Sequence, residues 1–397
     1  MEVDRLSINV HPLIIPADDL ADLVATCSMS LHHLSLPIAR LAECLLVTPP
    51  PYVGLLSAIC TCKQLRSLIL RPKLGSEEPF GPAPNLLQCL VASLPELRVL
   101  IFQKVRDPGG ALDDLFTGDI IAEVAAHREP GLQLLMMDVS DTAHSAALPE
   151  TLRYLSISNR SNLDVGPLYQ IVKSLRNLEE LYVVGFPWRI GVGQSAPLLQ
   201  TSEKLRIAVL NYLDAADELL TTAMLPSLEL LALPFQLPYS PWVAAPERRA
   251  HTPLKLMCPN LRELIYSCQS ERDILFLEHL LSKGAPKLET LQVVVDFEGV
   301  KNEFEICGHL WRAVAKSSGL RNLKIIIQNN ELLGFPTFLL LEDVCVPSLE
   351  TLELYSIATD DDGKVEVEHS DRLGDDARGV QAVCNVIGAV VAGGALP

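Results

Sequence analysis

The chain runs to 397 residues, with a mean hydropathy of +0.25, 49% hydrophobic residues and a formal net charge of −17. There is ample apolar material to bury, yet no stretch approaches the ~20 continuous apolar residues of a membrane span, so membrane insertion is not expected. No Lys/Arg block stands out, which argues against a nucleic-acid surface, while the acidity favours solubility and basic partner surfaces.

Along the chain one six-residue phrase, apolar-x-x-Leu-x-apolar, returns thirteen times. Strict copies begin at Leu65, Leu178, Leu261, Leu288 and Leu349. Looser ones begin at Val3, Leu31, Leu97, Leu132, Leu152, Leu205, Leu228 and Leu320. The starts lie 20 to 35 residues apart. Recurrence at that spacing predicts a repeat array rather than the two or three globular domains that the length suggests. Each hexad has the alternation of a short strand. Helical spacing of apolar residues follows several of them, at Asp18–Val24, Asn85–Val91, Ile120–Ala125, Leu168–Val172 and Glu305–Val314. The expected fold is therefore α/β: a solenoid whose strands form a parallel sheet on the concave side of an arc, with helices and loops on the convex side.

Proline supports that register. Leu94-Pro95, Leu148-Pro149, Leu225-Pro226, Cys258-Pro259, Ala285-Pro286 and Val346-Pro347 all stand just before a hexad, where proline ends a helix and biases its predecessor to extended geometry. Departures from the repeat fall at Thr48–Pro51, Pro72–Pro84, Pro234–Pro253 and Thr359–Asp376. The resulting division is a solenoid of about thirteen irregular repeats over 1–357, an acidic flexible loop over 358–376, and a C-terminal capping helix over 377–397.

The phrase Pro259-Asn-Leu261-Arg-Glu-Leu264-Ile-Tyr266, with its irregularly spaced counterparts, resembles the leucine-rich-repeat family in its ribonuclease-inhibitor-like form. It is similar to the repeat half of fungal F-box proteins. That resemblance implies a horseshoe that recognises a protein on its concave face, as the substrate receptor of a ubiquitin ligase. An alternative within the same family is a repeat protein that regulates an enzyme or GTPase by binding it there. Two departures stand out. The family's ninth-position Asn or Cys is replaced by Lys73, Val105, Arg160, Phe186, Leu213, Gln236, Gln269, Asp296 and Ile357, which predicts irregular turns. An F-box should precede the repeats, yet Val3-Asp-Arg-Leu6-Ser-Ile8 already reads as a strand, so a ligase adaptor is an expected partner only if an F-box lies upstream.

Catalytic and metal chemistry finds little support. Ten cysteines lack framework spacing, and Met1-Glu-Val-Asp-Arg lacks a signal peptide's basic-then-apolar run. Free thiols in the cytoplasm or nucleus are expected. Cys60-Thr-Cys62 has no second pair to complete a metal site. His32 and His33 are adjacent strand residues on opposite faces, Gly191-Val-Gly193 fits no dinucleotide motif, and Asp360–Asp362 has no EF-hand spacing. Arg189 is the one candidate for a presented arginine in a GTPase-activating role. No enzyme, cofactor or metal signature emerges.

In the strand pattern x-Leu-x-Leu-x the leucines face the interior and the x positions face the concavity. From Val99 to Ala232 those x positions are mostly apolar or aromatic, which predicts either a protein-binding groove or a face that the chain itself covers. The groove residues are Ile101, Met136, Tyr154, Tyr182, Val184, Ile207 and Val209, with Trp188 and Trp242 as loop candidates.

Overall fold

The computed structural model describes residues 3–8, 17–38, 53–72, 84–102, 118–126, 129–139, 148–159, 175–185, 203–210, 224–233, 256–268, 271–296, 303–328, 348–359 and 365–369. Two compact units divide the chain, Met1–Gln194 and Ser195–Pro397.

Among the described residues of the first unit seven strands follow one another: β1 (Arg5–Ser7), β2 (His33–Ile38), β3 (Ser67–Pro72), β4 (Val99–Phe102), β5 (Leu134–Val139), β6 (Tyr154–Asn159) and β7 (Glu180–Gly185). Each pairs in parallel with the next. Parallel neighbours need a crossover, and helices α1 (Ala17–Cys27), α2 (Val53–Thr61), α3 (Pro84–Ser93) and α4 (Gly118–Ala126) occupy the first four crossovers. Helix α1 carries Asp18 and Asp19 in its first turn, where the helix dipole favours acid, and buries Leu20, Ala21, Val24 and Cys27 along one face. It packs beside α2. Helix α2 falls on none of the helical stretches expected from the sequence. Helix α3 opens on Pro84, a first-turn position that needs no N–H.

The second unit contains β8 (Ile207–Leu210), β9 (Leu230–Leu233), β10 (Glu263–Cys268), β11 (Thr290–Asp296), β12 (Asn322–Gln328) and β13 (Thr351–Thr359), again each parallel to the next. Helix α5 (Glu271–His279) continues as a π-helical turn over Leu280–Gly284, closed by the Ala285 N–H donating to the Leu280 carbonyl at 2.8 Å. The next crossover holds α6 (Glu303–Ala315). Phe276 of α5 stacks on Tyr266 of β10 with ring centroids 5.3 Å apart, fixing helix against sheet. Gly284 has no room for a side chain, because a β-carbon would lie 2.8 Å from the Leu256 carbonyl oxygen.

All thirteen hexads become strands, each starting two residues after the hexad's first residue. The fourth-position residues stand in register: Leu34, Leu68, Leu100, Leu135, Leu155 and Leu181 in one unit, and Ala208, Leu231, Leu264, Leu291 and Leu323 in the other. All are buried. A slip of one residue would turn a whole strand's leucines to the opposite face, so burial on this scale fixes the register.

Before the strands the turn is specific. The N–H of Leu97 donates to the Leu94 carbonyl, Leu228 to Leu225, Leu261 to Cys258 and Leu288 to Ala285. Pro95, Pro226, Pro259 and Pro286 thus occupy the second place of a β-turn, where their fixed φ is already correct. Proline here shapes the turn itself as well as stopping what precedes it. Side chains stitch successive turns together: Asn177 Nδ2 to Glu150 O at 3.0 Å, Asn260 Nδ2 to Pro226 O at 2.7 Å, Ser348 Oγ to Leu320 O at 2.8 Å. This pre-strand ladder bonds neighbouring repeats. Of the nine irregular positions, Asp296 and Ile357 lie within strands and the other seven lie outside the described residues.

The C-terminal segment departs from expectation. Strand β13 extends to Thr359, and β14 (Val365–His369) pairs with it antiparallel, placing Tyr355 opposite His369 and Thr359 opposite Val365. A strand therefore occupies part of the segment expected to be an acidic loop. Alternating Val-Glu-Val-Glu at 365–368 is a strand signal, outweighed in the sequence by the preceding run of aspartates. The segment expected to form the capping helix, and the helical stretch Leu168–Val172, lie outside the described residues.

Candidate recognition surfaces on the strand faces

Two columns of side chains run across each sheet on the face opposite the buried leucines. In the first unit, one column reads Ser67, Val99, Leu134, Tyr154 and Glu180, and the other Ile69, Ile101, Met136, Ser156 and Tyr182. Register brings Ile101 beside Met136, Met136 beside Ser156, and Ser156 beside Tyr182, so the expected neighbours do share one surface. Their exposure is another matter. Ile101 is 3% exposed, Tyr154 7% and Tyr182 8%, and Val99, Leu134 and Ser156 are fully enclosed; Met136 is half-buried. Val184 lies in β7 opposite Ser158. Trp188, Trp242 and Arg189 lie outside the described residues.

Polar groups on this face are held tightly. The Tyr182 hydroxyl donates to Glu180 Oε2 at 3.0 Å, inside a site where both residues are buried. Burial, reinforced by the Glu180 charge, pushes the Tyr182 phenol far above its ordinary range. Burial also raises the Tyr154 phenol, against the pull of Arg153, whose guanidinium carbon sits 5.4 Å from the ring centroid. Ser156 Oγ is enclosed without a hydrogen-bond partner.

The second unit presents a different face. Ile207 and Leu230 are half-buried, while Val209 is 8% exposed and Ala232 is buried. From β10 onward the two columns turn mostly polar: Glu263 and Ile265, then Thr290 and Gln292, then Asn322 and Lys324, all half-buried, and finally the exposed Thr351 and Glu353. The next column along the strands closes, passing from the half-buried Ser267 to the buried apolar Val294 and Ile326. Asn322 Nδ2 donates to Thr290 Oγ1 at 3.2 Å across two strands. Such a surface offers hydrogen-bonding groups that water, or a partner, reaches.

Beside both faces runs a column of charge at the second position of each hexad. From Leu152 onward the sequence there alternates Arg153, Glu179, Arg206, Glu229, Arg262, Glu289, Arg321, Glu350. Arg153 grips Glu179 bidentately, Nε to Oε1 at 2.8 Å and Nη2 to Oε2 at 3.0 Å, and that hydrogen bonding raises the Arg153 pKa. In the second unit Arg206 Nη2 lies 3.0 Å from Glu229, and Arg321 lies 3.8 Å from Glu350. The Arg206 hydrogen bond lowers the Glu229 pKa, with help from Arg262. At the start of the column Asp4 and His32 meet at 2.7 Å. His32 thus belongs to this edge column, just before β2, rather than to the strand itself. Sequence reasoning missed the ladder although its signal was explicit, a sign alternating once per repeat.

The remaining chemical candidates gather no constellation. Cys27, Cys60, Cys62, Cys89, Cys258 and Cys268 are free thiols, with Cys89 exposed and Cys27, Cys62, Cys258 and Cys268 buried. Burial pushes Cys62 up to about 11 and Cys258 up to about 12. His279 Nε2 rests 3.3 Å from the Leu256 carbonyl. No group of three or more His, Cys, Asp or Glu side chains fit to hold a metal occurs among the described residues, and none of the described helices is long and apolar enough to cross a membrane. No protein-family model matches this chain, and no curated protein matches it.

Proposed function

We propose that the chain is a leucine-rich-repeat horseshoe that recognises a protein on its concave strand face, without catalysis, as the substrate receptor of a ubiquitin ligase. The observation that supports recognition is the in-register columns: parallel strands at fixed spacing set side chains in rows that a partner segment can follow over many repeats. The part of that face suited to contact is the one around Ile265, Gln292, Lys324 and Glu353, because it combines solvent access with mixed polarity. The ligase assignment rests on the resemblance of the repeat phrase to fungal F-box proteins.

Photo-crosslinking from positions 292 and 324, with position 63 on the turn before β3 as control, tests both levels. A single partner captured from 292 and 324 but not from 63 supports recognition on the strand face. Recovery of a ligase adaptor with the chain supports the receptor role. Equal capture from all three positions, or a partner that binds without crosslinking to either strand position, would overturn the surface.

A further inference from the structure

Before Leu152 the charge column does not alternate, and between β3 and β4 it sets two bases side by side. Arg66 and Arg98 are neighbours there, the Arg98 N–H donating to the Arg66 carbonyl at 2.8 Å, and Gln133 follows on the other side. At four other places in this column an acid and a base on neighbouring strands meet within 4 Å: Asp4–His32, Arg153–Glu179, Arg206–Glu229 and Arg321–Glu350. Here two cations stand side by side. Arg98 is 5% exposed at its side chain and meets one acid, Glu96, through Nη2 at 3.0 Å. Its Nε and Nη1 are enclosed without a hydrogen-bond partner.

A guanidinium never sheds its proton at physiological pH, so burial cannot be relieved by neutralisation. Enclosed donors without acceptors are costly, and the deficit calls for an acceptor that brings negative charge. Arg66 is exposed and has no ion pair among the described residues. Nearby cations add to the field: Arg5 and Arg66 both act to lower the His33 pKa, after burial, against the opposing charge of Asp4. In a chain of net charge −17 this local excess of positive charge is an exception. Adjacent parallel strands lie ~4.8 Å apart, close enough for two arginines to share the oxygens of one anion.

We propose that Arg66 and Arg98 form a binding site for an oxyanion, the phosphate or carboxylate group of a ligand or of a partner side chain. Arg98 supplies the enclosed donors and Arg66 the exposed ones on the neighbouring strand. The site is independent of the recognition face argued above.

The test is thermal unfolding of the full chain titrated with sodium phosphate or sodium acetate, ionic strength being held constant with sodium chloride, alongside phosphorus-31 line broadening of inorganic phosphate. Phosphate stabilises many proteins through exclusion from their surface, so the comparison with Arg66→Gln is decisive. The expected result is a saturable rise in Tm and broadening of the phosphate line in the native chain. Both should weaken at least tenfold in apparent affinity in Arg66→Gln, an exposed substitution compatible with folding. Saturation with phosphate alone assigns the site to phosphoryl groups, and saturation with acetate alone assigns it to carboxylates. Identical, non-saturating responses in the native chain and in Arg66→Gln would overturn the proposal. So would an Arg98→Met variant that is more stable than the native chain with phosphate broadening unchanged, because Arg98 would then be only an ill-satisfied core residue.

Discussion

The strand face of the first unit and that of the second are built on the same hexad, yet the first is closed and the second opens from β10 onward along two of its columns. In the first, Val99, Ile101, Leu134, Tyr154, Ser156 and Tyr182 are all buried, on the face expected to be a groove as well as among the leucines behind it. In the second, Glu263, Gln292, Asn322, Lys324 and Glu353 reach solvent from the corresponding columns. The difference teaches that an apolar strand face need not be a docking face. An apolar row is stabilised when it is covered, and a polar row keeps its hydration until a partner replaces it.

The largest effect that can break this comparison is truncation of the closed face. Tyr182→Ala should cost about 3 kcal/mol in unfolding free energy, because it empties an enclosed volume and strips Glu180 of a donor. Gln292→Ala on the open face should stay within about 0.5 kcal/mol. Chemical denaturation measures both, and equal losses would erase the distinction between the two faces.

Alkaline titration sharpens the same contrast from the core. Cys62 at about 11, Cys258 at about 12 and the Tyr182 phenol are all raised by burial. A raised folded-state pKa stabilises below the unfolded value, so stability should hold up to about pH 9 and then fall as pH climbs through the folded values. Maleimide labelling at pH 7.5 should accordingly modify the exposed Cys89 quickly and leave Cys62 and Cys258 unmodified until unfolding. Prompt native-state labelling of Cys258 would refute the enclosure.

The smallest effect belongs to the charge column. A double-mutant cycle on Arg206 and Glu229, both about half exposed, should give a coupling of about 0.5 kcal/mol that shrinks with salt. The less exposed bidentate Arg153–Glu179 pair should give more. Glu229 has a lowered pKa, so its contribution is present above the ordinary carboxylate value and is lost as pH falls through the folded one. A coupling for Arg206–Glu229 above that of Arg153–Glu179 would show that exposure does not set the scale here.

The strands were legible because their signal is local and repeated: Leu at the first and fourth places, an apolar residue at the sixth, and proline in the turn before. Helices α1, α3, α4 and α6 were legible from their apolar spacing. Helix α2 was hidden because Val53–Thr61 is apolar nearly throughout, with little contrast between its faces. Helix α5 was hidden because a π-helical turn interrupts the ordinary spacing at Leu280. Of the expected groove, the sequence placed Ile101, Met136, Tyr154 and Tyr182 on one face correctly. Whether they formed an open groove or a covered face was not decided by the sequence, since that depends on what else approaches the face.

By itself, then, the sequence determined the order, direction and register of the strands, because each hexad carries its own alternation and needs only its neighbour to satisfy it. Tertiary structure alone decided which strand faces are enclosed, that β14 pairs antiparallel with β13, and that Arg98 is enclosed with two of its nitrogens lacking an acceptor. Those outcomes depend on which groups from distant parts of the chain meet across space, and a one-dimensional pattern does not carry that.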